Sequence, residues 1–138
     1  MDLTVLDAGV LIAVLDAADV HHAAAVDATR DAIGRGDRLV LPASAYAEIL
    51  VAPHRRGGEA VDTVDAFVDA LPATVEPITR AIAARAADLR ARHGARLRLP
   101  DSLVIATAVV LGATRVITTD AGWPEVPVPV DLVSALGN

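Results

Sequence analysis

The chain has 138 residues, 54% of them apolar, a net charge of −6 and no cysteine. That length suits one domain over residues 1–138 with one core, the apolar share argues against disorder, and the missing cysteines exclude disulfides, zinc–thiolate sites and thiol nucleophiles. Twelve arginines stand beside no lysine, which removes the Walker-type phosphate loop, Schiff-base chemistry and the lysine that receiver-like domains and haloacid-dehalogenase-type phosphatases pair with their acidic Mg²⁺ sites.

Leu3–Leu6 is a short apolar run that stops at Asp7-Ala8-Gly9 and reads as a first strand. Helices are predicted over Val10–Leu15 and from about His21 to Ile33, with Gly34 and Gly36 as stop signals. Leu39–Leu41 is a second strand closed by Pro42, and Ala43–Val51 an apolar helix. Pro53 and Gly57-Gly58 mark a turn carrying His54, Arg55 and Arg56. A helix over Ala60–Ala70 and a strand at Thr74–Glu76 follow, then a long Ala/Arg helix from a Thr79 cap to His93, where Gly94 stops it. Ser102–Leu111 is apolar nearly all round, which predicts a buried helix. Arg115–Thr119 is a third clear strand, and Pro124, Pro127 and Pro129 stiffen the loop before a last strand, Val130–Val133. The alternation predicts an α/β domain, a three-layer α/β/α sandwich around a largely parallel sheet.

Three aromatics, Tyr46, Phe67 and Trp123, leave the core to Ala, Val, Leu and Ile, and make base stacking a poor primary mode of recognition. No uninterrupted apolar run approaches about 18 residues and the N-terminus lacks a basic flank, so a cytoplasmic protein without membrane contact is expected. The four histidines show no metal-ligand spacing.

In a parallel sheet, ligands bind beyond the carboxyl ends of the strands. Asp7 and Asp120 each follow a strand directly, Asp101 heads the most apolar helix, and Glu48 lies within another apolar helix. Each has an ordinary explanation: helix caps for Asp7 and Asp101, a turn beside Gly122 for Asp120, an ion pair with an arginine for Glu48. Independent caps have no reason to surround one edge of a sheet. Four carboxylates at close range repel one another unless a divalent cation lies among them. Oxygen ligands suit Mg²⁺, and metal-assisted hydrolysis of phosphate esters is the chemistry they point to.

The segments Val5–Ala13 (VLDAGVLIA), Ser44–Leu50 (SAYAEIL), Leu99–Ala108 (LPDSLVIATA) and Val116–Trp123 (VITTDAGW) resemble, in order and spacing, the four acidic motifs of PIN-domain nucleases. Among these the chain is most similar to the VapC toxins of type II toxin–antitoxin pairs. The resemblance implies a PIN-like sandwich and a metal-binding, catalytic quartet of Asp7, Glu48, Asp101 and Asp120 around Mg²⁺ or Mn²⁺. It implies endoribonuclease activity in which metal-activated water leaves a 5′-phosphate and a 3′-hydroxyl. It also implies an RNA substrate, a small cognate antitoxin with a basic segment over the acidic groove, and a homodimer. The alternatives are a non-catalytic PIN-fold binding or regulatory module and, further off, a metal-dependent phosphatase.

One departure stands out: the family often carries Ser, Thr or Asn two residues after the first Asp, where this chain has Gly9. Thr118 and Thr119 are candidates to replace that group from the neighbouring strand. With Arg98, Arg55 and Arg56 they are also candidates for contact with RNA. The stripe Val61, Val64, Phe67, Val68 and Leu71 reads as core in part, and otherwise as antitoxin-facing.

Overall fold

The chain begins with a strand that becomes the middle of the sheet. In the computed structural model, which describes residues 1–135, the order is β1 (Leu3–Leu6), α1 (Ala8–Leu15), α2 (His22–Gly34), β2 (Arg38–Pro42), α3 (Ala43–Arg56) and α4 (Gly58–Ala70). Then come β3 (Ala73–Glu76), α5 (Arg80–His93), a single 3₁₀ turn, α6 (Leu99–Leu111), β4 (Arg115–Thr118) and β5 (Val130–Leu132). The last three positions of the expected 1–138 domain lie outside the described residues. Among those described, no helix is long and apolar enough to cross a membrane.

All five strands are parallel, in the order β3-β2-β1-β4-β5. Val5 pairs with Val40 on one side and Val116 on the other. Helices cover both faces, giving the expected α/β/α sandwich, and the inner strands therefore read as continuous apolar runs rather than alternating ones. Val5, Leu6, Leu39, Val40, Val116 and Ile117 are all buried, against Val10, Leu11, Ile82, Leu89 and Ile105 from the helices. The core is aliphatic, as the composition requires. Val64 and Val68 of the α4 stripe belong to it, with Phe67 and Leu71 partly buried against it.

Several boundaries differ from expectation, each for a local reason. Helix α3 runs through Pro53 instead of stopping before it. The buried proline removes one donor, but Gly57 with φ 125° makes the break, its N–H donating to the Pro53 carbonyl at 3.0 Å. His54, Arg55 and Arg56 thus form the last turn of α3, facing the negative end of its dipole, and not a loop. Helix α6 starts three residues early because Pro100 fits the first turn. Strand β4 ends at Thr118 and β5 at Leu132.

The amino ends of the strands carry a feature that sequence reading missed. Asp37, with its side chain 2% exposed, accepts from the Thr4 hydroxyl at 2.9 Å, Arg35 at 2.9 Å and Arg115 at 2.7 Å. Arg115 also donates to Thr4 and reaches Asp2 at 3.2 Å and Asp131 at 3.6 Å. One guanidinium, from the first residue of β4, therefore ties together the starts of β1, β2 and β4 and an acid of β5. Burial pushes the Asp37 carboxyl up, but the Arg35 and Thr4 hydrogen bonds and the two arginine charges outweigh it and hold the carboxyl below its ordinary value of 3.8. Such a group contributes stability above its unfolded value and loses that contribution as pH falls through the folded one. Asp37→Asn should accordingly cost about 3 kcal/mol at neutral pH in urea unfolding, because it leaves Arg115 without its buried counter-charge. The deficit relative to the parent protein should shrink as pH is lowered below that range.

Candidate metal centre

The strand order reverses at β1: the chain lays down β2 and β3 on one side of it, then returns to add β4 and β5 on the other. Such a switch point opens a crevice at the carboxyl ends of β1 and β4. Asp7 stands in it. Its backbone N–H donates to the Ile117 carbonyl at 3.0 Å, continuing the sheet by one bond beyond β1. Its Oδ1 accepts from the Ala8 N–H at 2.9 Å, capping α1, and its Oδ2 accepts from the Thr118 hydroxyl at 2.7 Å. The cap reading and the site reading are thus both satisfied by one side chain.

Asp7 is 8% exposed, and no cation pairs with it among the described residues. Burial pushes its carboxyl up, the Thr118 and Ala8 hydrogen bonds pull it back in part, and the Asp120 charge raises it again; the net direction is upward. Asp120 lies just past β4. Its N–H donates to the Thr118 hydroxyl at 3.1 Å and its Oδ1 accepts from Gly122 at 2.8 Å, an ordinary Asx-type turn that still leaves its charge bearing on Asp7 and Asp101.

Asp101 sits in the first turn of α6, inside the helix rather than capping it, with its side chain 15% exposed. Burial, then Asp7 and Asp120, raise its carboxyl; Arg98, 3.8 Å away, and the Trp123 indole N–H work the other way. That indole nitrogen is buried and near Asp101, yet reaches no acceptor at full hydrogen-bonding geometry. The ring is partly buried against the core.

Glu48 corrects an expectation. An apolar helix is the usual setting for a buried residue, but Glu48 is exposed, on the flank of the buried stripe formed by Ala45 and Ile49. It makes no ion pair among the described residues, so the arginine explanation fails too. Partial desolvation, then Asp7 and Asp101, raise its carboxyl, and the Arg98 charge lowers it. Four acids separated by up to 113 positions in the chain (Asp7 to Asp120) therefore sense one another's charge.

The remaining candidates separate by burial. Arg98, Arg55 and Arg56 are exposed. Arg56 shares with Glu48 a hollow of about 290 Å³ floored by Ile12, Leu15, Pro53 and Val64. Thr118 is fully buried with its hydroxyl committed to Asp7 and Asp120, so it is a support for the acids and not a surface group for RNA. Thr119 is half-buried, one residue beyond the strand end. A second hollow, about 430 Å³, lies between α2 and β5 and is lined by none of the four acids.

The donor set is all oxygen, carries excess negative charge and, among the described residues, is relieved at its rim by Arg98, which suits a hard divalent cation. Among the described residues, however, no three acidic or histidine side chains converge closely enough to ligate one ion directly. The arrangement fits a hydrated ion reached partly through water, as Mg²⁺ prefers, and not a closed protein cage.

Because the folded Asp7 value lies above 3.8, its protonated form favours folding and that advantage is lost as pH rises through the folded value. Above the folded value the ion-free protein therefore bears the cost of a buried charge. Asp7→Asn should raise its thermal midpoint, by about 4 °C for each kcal/mol recovered, in a scanning fluorimetry measurement without divalent ions. A lower midpoint for the variant would show that the charge is not the dominant cost at this position.

A family model described as PIN domain matches residues 4–129. No curated protein matches the chain. Among solved structures, VapBC2 from Rickettsia felis, bound to a DNA fragment from its promoter, is similar with a TM-score of 0.76 at 10% identity, covering 94% of this chain and 98% of that one. VapC20 from Mycobacterium tuberculosis, described as a sarcin–ricin loop cleaving toxin, gives 0.69 at 20% identity, covering 89% and 98%. A toxin–antitoxin complex from Klebsiella pneumoniae gives 0.64 at 18% identity, covering 88% and 96%. At these identities the structures speak for the fold, and the model match over nearly the whole length speaks for descent: the chain belongs to the PIN domain family.

Proposed function

We propose that the protein is a Mg²⁺- or Mn²⁺-dependent endoribonuclease acting as the toxin of a type II toxin–antitoxin pair. The observation that carries this reading is the gathering of Asp7, Glu48, Asp101 and Asp120 at the sheet's switch point, with Asp7 buried and without a counter-ion among the described residues. An uncompensated buried carboxylate is costly unless a cation completes the site. Asp7 and Asp101 are the inner ligands, with Glu48 and Asp120 joining through water. When bound, the ion supplies Lewis-acid polarisation of the phosphate and activation of the attacking water.

The chain's own residues divide the rest of the work. Thr118 and the Ala8 N–H hold both oxygens of Asp7 in place, so the inner ligand is oriented before any ion arrives. Glu48 and Asp120 provide proton acceptors at the rim. Arg98, exposed and 3.8 Å from Asp101, is positioned to meet a substrate phosphate, and Arg56, which shares a hollow with Glu48, and its neighbour Arg55 are further cations for RNA.

Similar solved structures include complexes of toxins with their antitoxins, and this supports a small antitoxin as partner. The hollow beside Glu48 has an apolar floor for a partner's side chains, and the net charge of −6 favours a basic segment over the acids. A homodimer is part of the same proposal. The competing reading, a non-catalytic PIN module, is favoured by the lack of three directly converging ligands among the described residues.

Purified protein should cut structured RNA with added Mg²⁺ or Mn²⁺, stop with EDTA, and leave 5′-phosphate ends in end-labelling assays. Asp101→Asn should lower the rate by at least about 100-fold with the fold intact by circular dichroism. Full activity in that variant, or in EDTA, would remove the metal site from the mechanism, and absence of divalent binding by calorimetry would favour the binding module.

A further inference from the structure

Gly9 poses a question that its backbone does not answer. It lies in the first turn of α1 with an ordinary negative φ, so the left-handed conformation that usually demands glycine is not needed here. Glycine is also a poor residue within a helix, where alanine is preferred. The reason is spatial: a Cβ built on Gly9 would lie 2.5 Å from the Thr119 Oγ1 and 3.8 Å from the Thr119 Cβ. The hydroxyl, and not the methyl group, is therefore turned toward Gly9, and it occupies the space a side chain there would take.

Chain position sets that hydroxyl beside two of the acids. Gly9 is two residues after Asp7, and Thr119 lies between Thr118, which holds Asp7 and the Asp120 N–H, and Asp120 itself. Unlike Thr118, the Thr119 hydroxyl has no protein hydrogen-bond partner among the described residues. A half-buried hydroxyl without a protein partner among the described residues has donor and acceptor capacity to offer to water.

Resting on the metal-site reading above, we propose that Thr119 is a positioning residue: its hydroxyl, seated over Gly9, hydrogen-bonds a water in the hydration shell of the divalent ion, and Gly9 is required to be side-chain-free so that it can. The group that orients this water thus comes from the end of β4, where the first turn of α1 leaves room for it. Direct ligands are too few to form a closed cage, which gives an oriented water more influence on affinity here than in a fully protein-ligated site.

The test is Mn²⁺ binding by isothermal titration calorimetry on the whole chain, with ion-free thermal midpoints alongside. Thr119→Val keeps the shape and removes the hydroxyl; it should weaken Mn²⁺ binding by about 3- to 10-fold, the effect of one water-mediated hydrogen bond, with the ion-free midpoint unchanged. Thr119→Ser should restore affinity, which a packing role for the threonine methyl would not predict. Gly9→Ala should turn the Thr119 hydroxyl away and weaken binding as Thr119→Val does, with little further loss when the two are combined. Unchanged affinity in Thr119→Val, with normal binding by the parent protein, overturns the role of Thr119 and leaves the metal site standing. No Mn²⁺ binding by the parent protein overturns the metal site and this inference with it.

Discussion

The hydrogen bond from the Thr118 hydroxyl to Asp7 joins the ends of β1 and β4 at the place where the sheet changes direction. A parallel sheet with a switch point leaves polar strand ends facing a crevice, and something must keep that crevice from collapsing or filling with apolar side chains. Here a buried carboxylate does so, oriented by one hydroxyl and one backbone N–H. The same hydroxyl accepts from the Asp120 backbone, so one threonine sets the relative position of two of the four acids. The other two arrive on the first turn of α6 and on α3, helices whose contacts with each other help close the site.

The two edges of the sheet show what separates a structural carboxylate from a functional one. Asp37 and Asp7 are the same residue type and nearly equally buried, at 7% and 8% exposure. Asp37 meets two arginines and a threonine, and its carboxyl is held low. Asp7 meets donors without charge and other acids, and its carboxyl is pushed up. The first is complete within the chain and pins the strand starts together. The second is incomplete, and its completion by an ion is what the proposed chemistry needs.

Exposure at the rim is as informative as burial at the centre. Glu48, Arg98 and Arg56 lie where solvent reaches them, so their mutual interactions are screened and contribute little to folding. Placing them there leaves them free to meet an ion, a phosphate or a partner. Gly9 and Thr119 show that the same crevice is shaped by what is omitted: the helix gives up a side chain and the strand end supplies a hydroxyl in its place.

Periodicity and stop signals in the sequence were enough to determine the alternating α/β plan and the strands that lead toward Asp7 and Asp120, because these depend on neighbours a few positions apart; the four acidic segments were legible as a set through their resemblance to a family's motifs. The limits of α3 were not legible, since a proline inside a helix is tolerated only when packing and a later glycine break allow it. The exposure of Glu48 was hidden for a similar reason: an apolar neighbourhood in sequence does not say which side of the helix a residue takes against the rest of the fold. The Asp37–Arg115 pair, 78 positions apart, and the Thr118–Asp7 bond, 111 apart, had no local signal at all. Both follow from the register that sets β4 beside β1, and Thr119 reaches the space over Gly9 by the same juxtaposition. Local chemistry chose the residue types; only the pairing of distant strands decided which of them share a charge, a proton or a space.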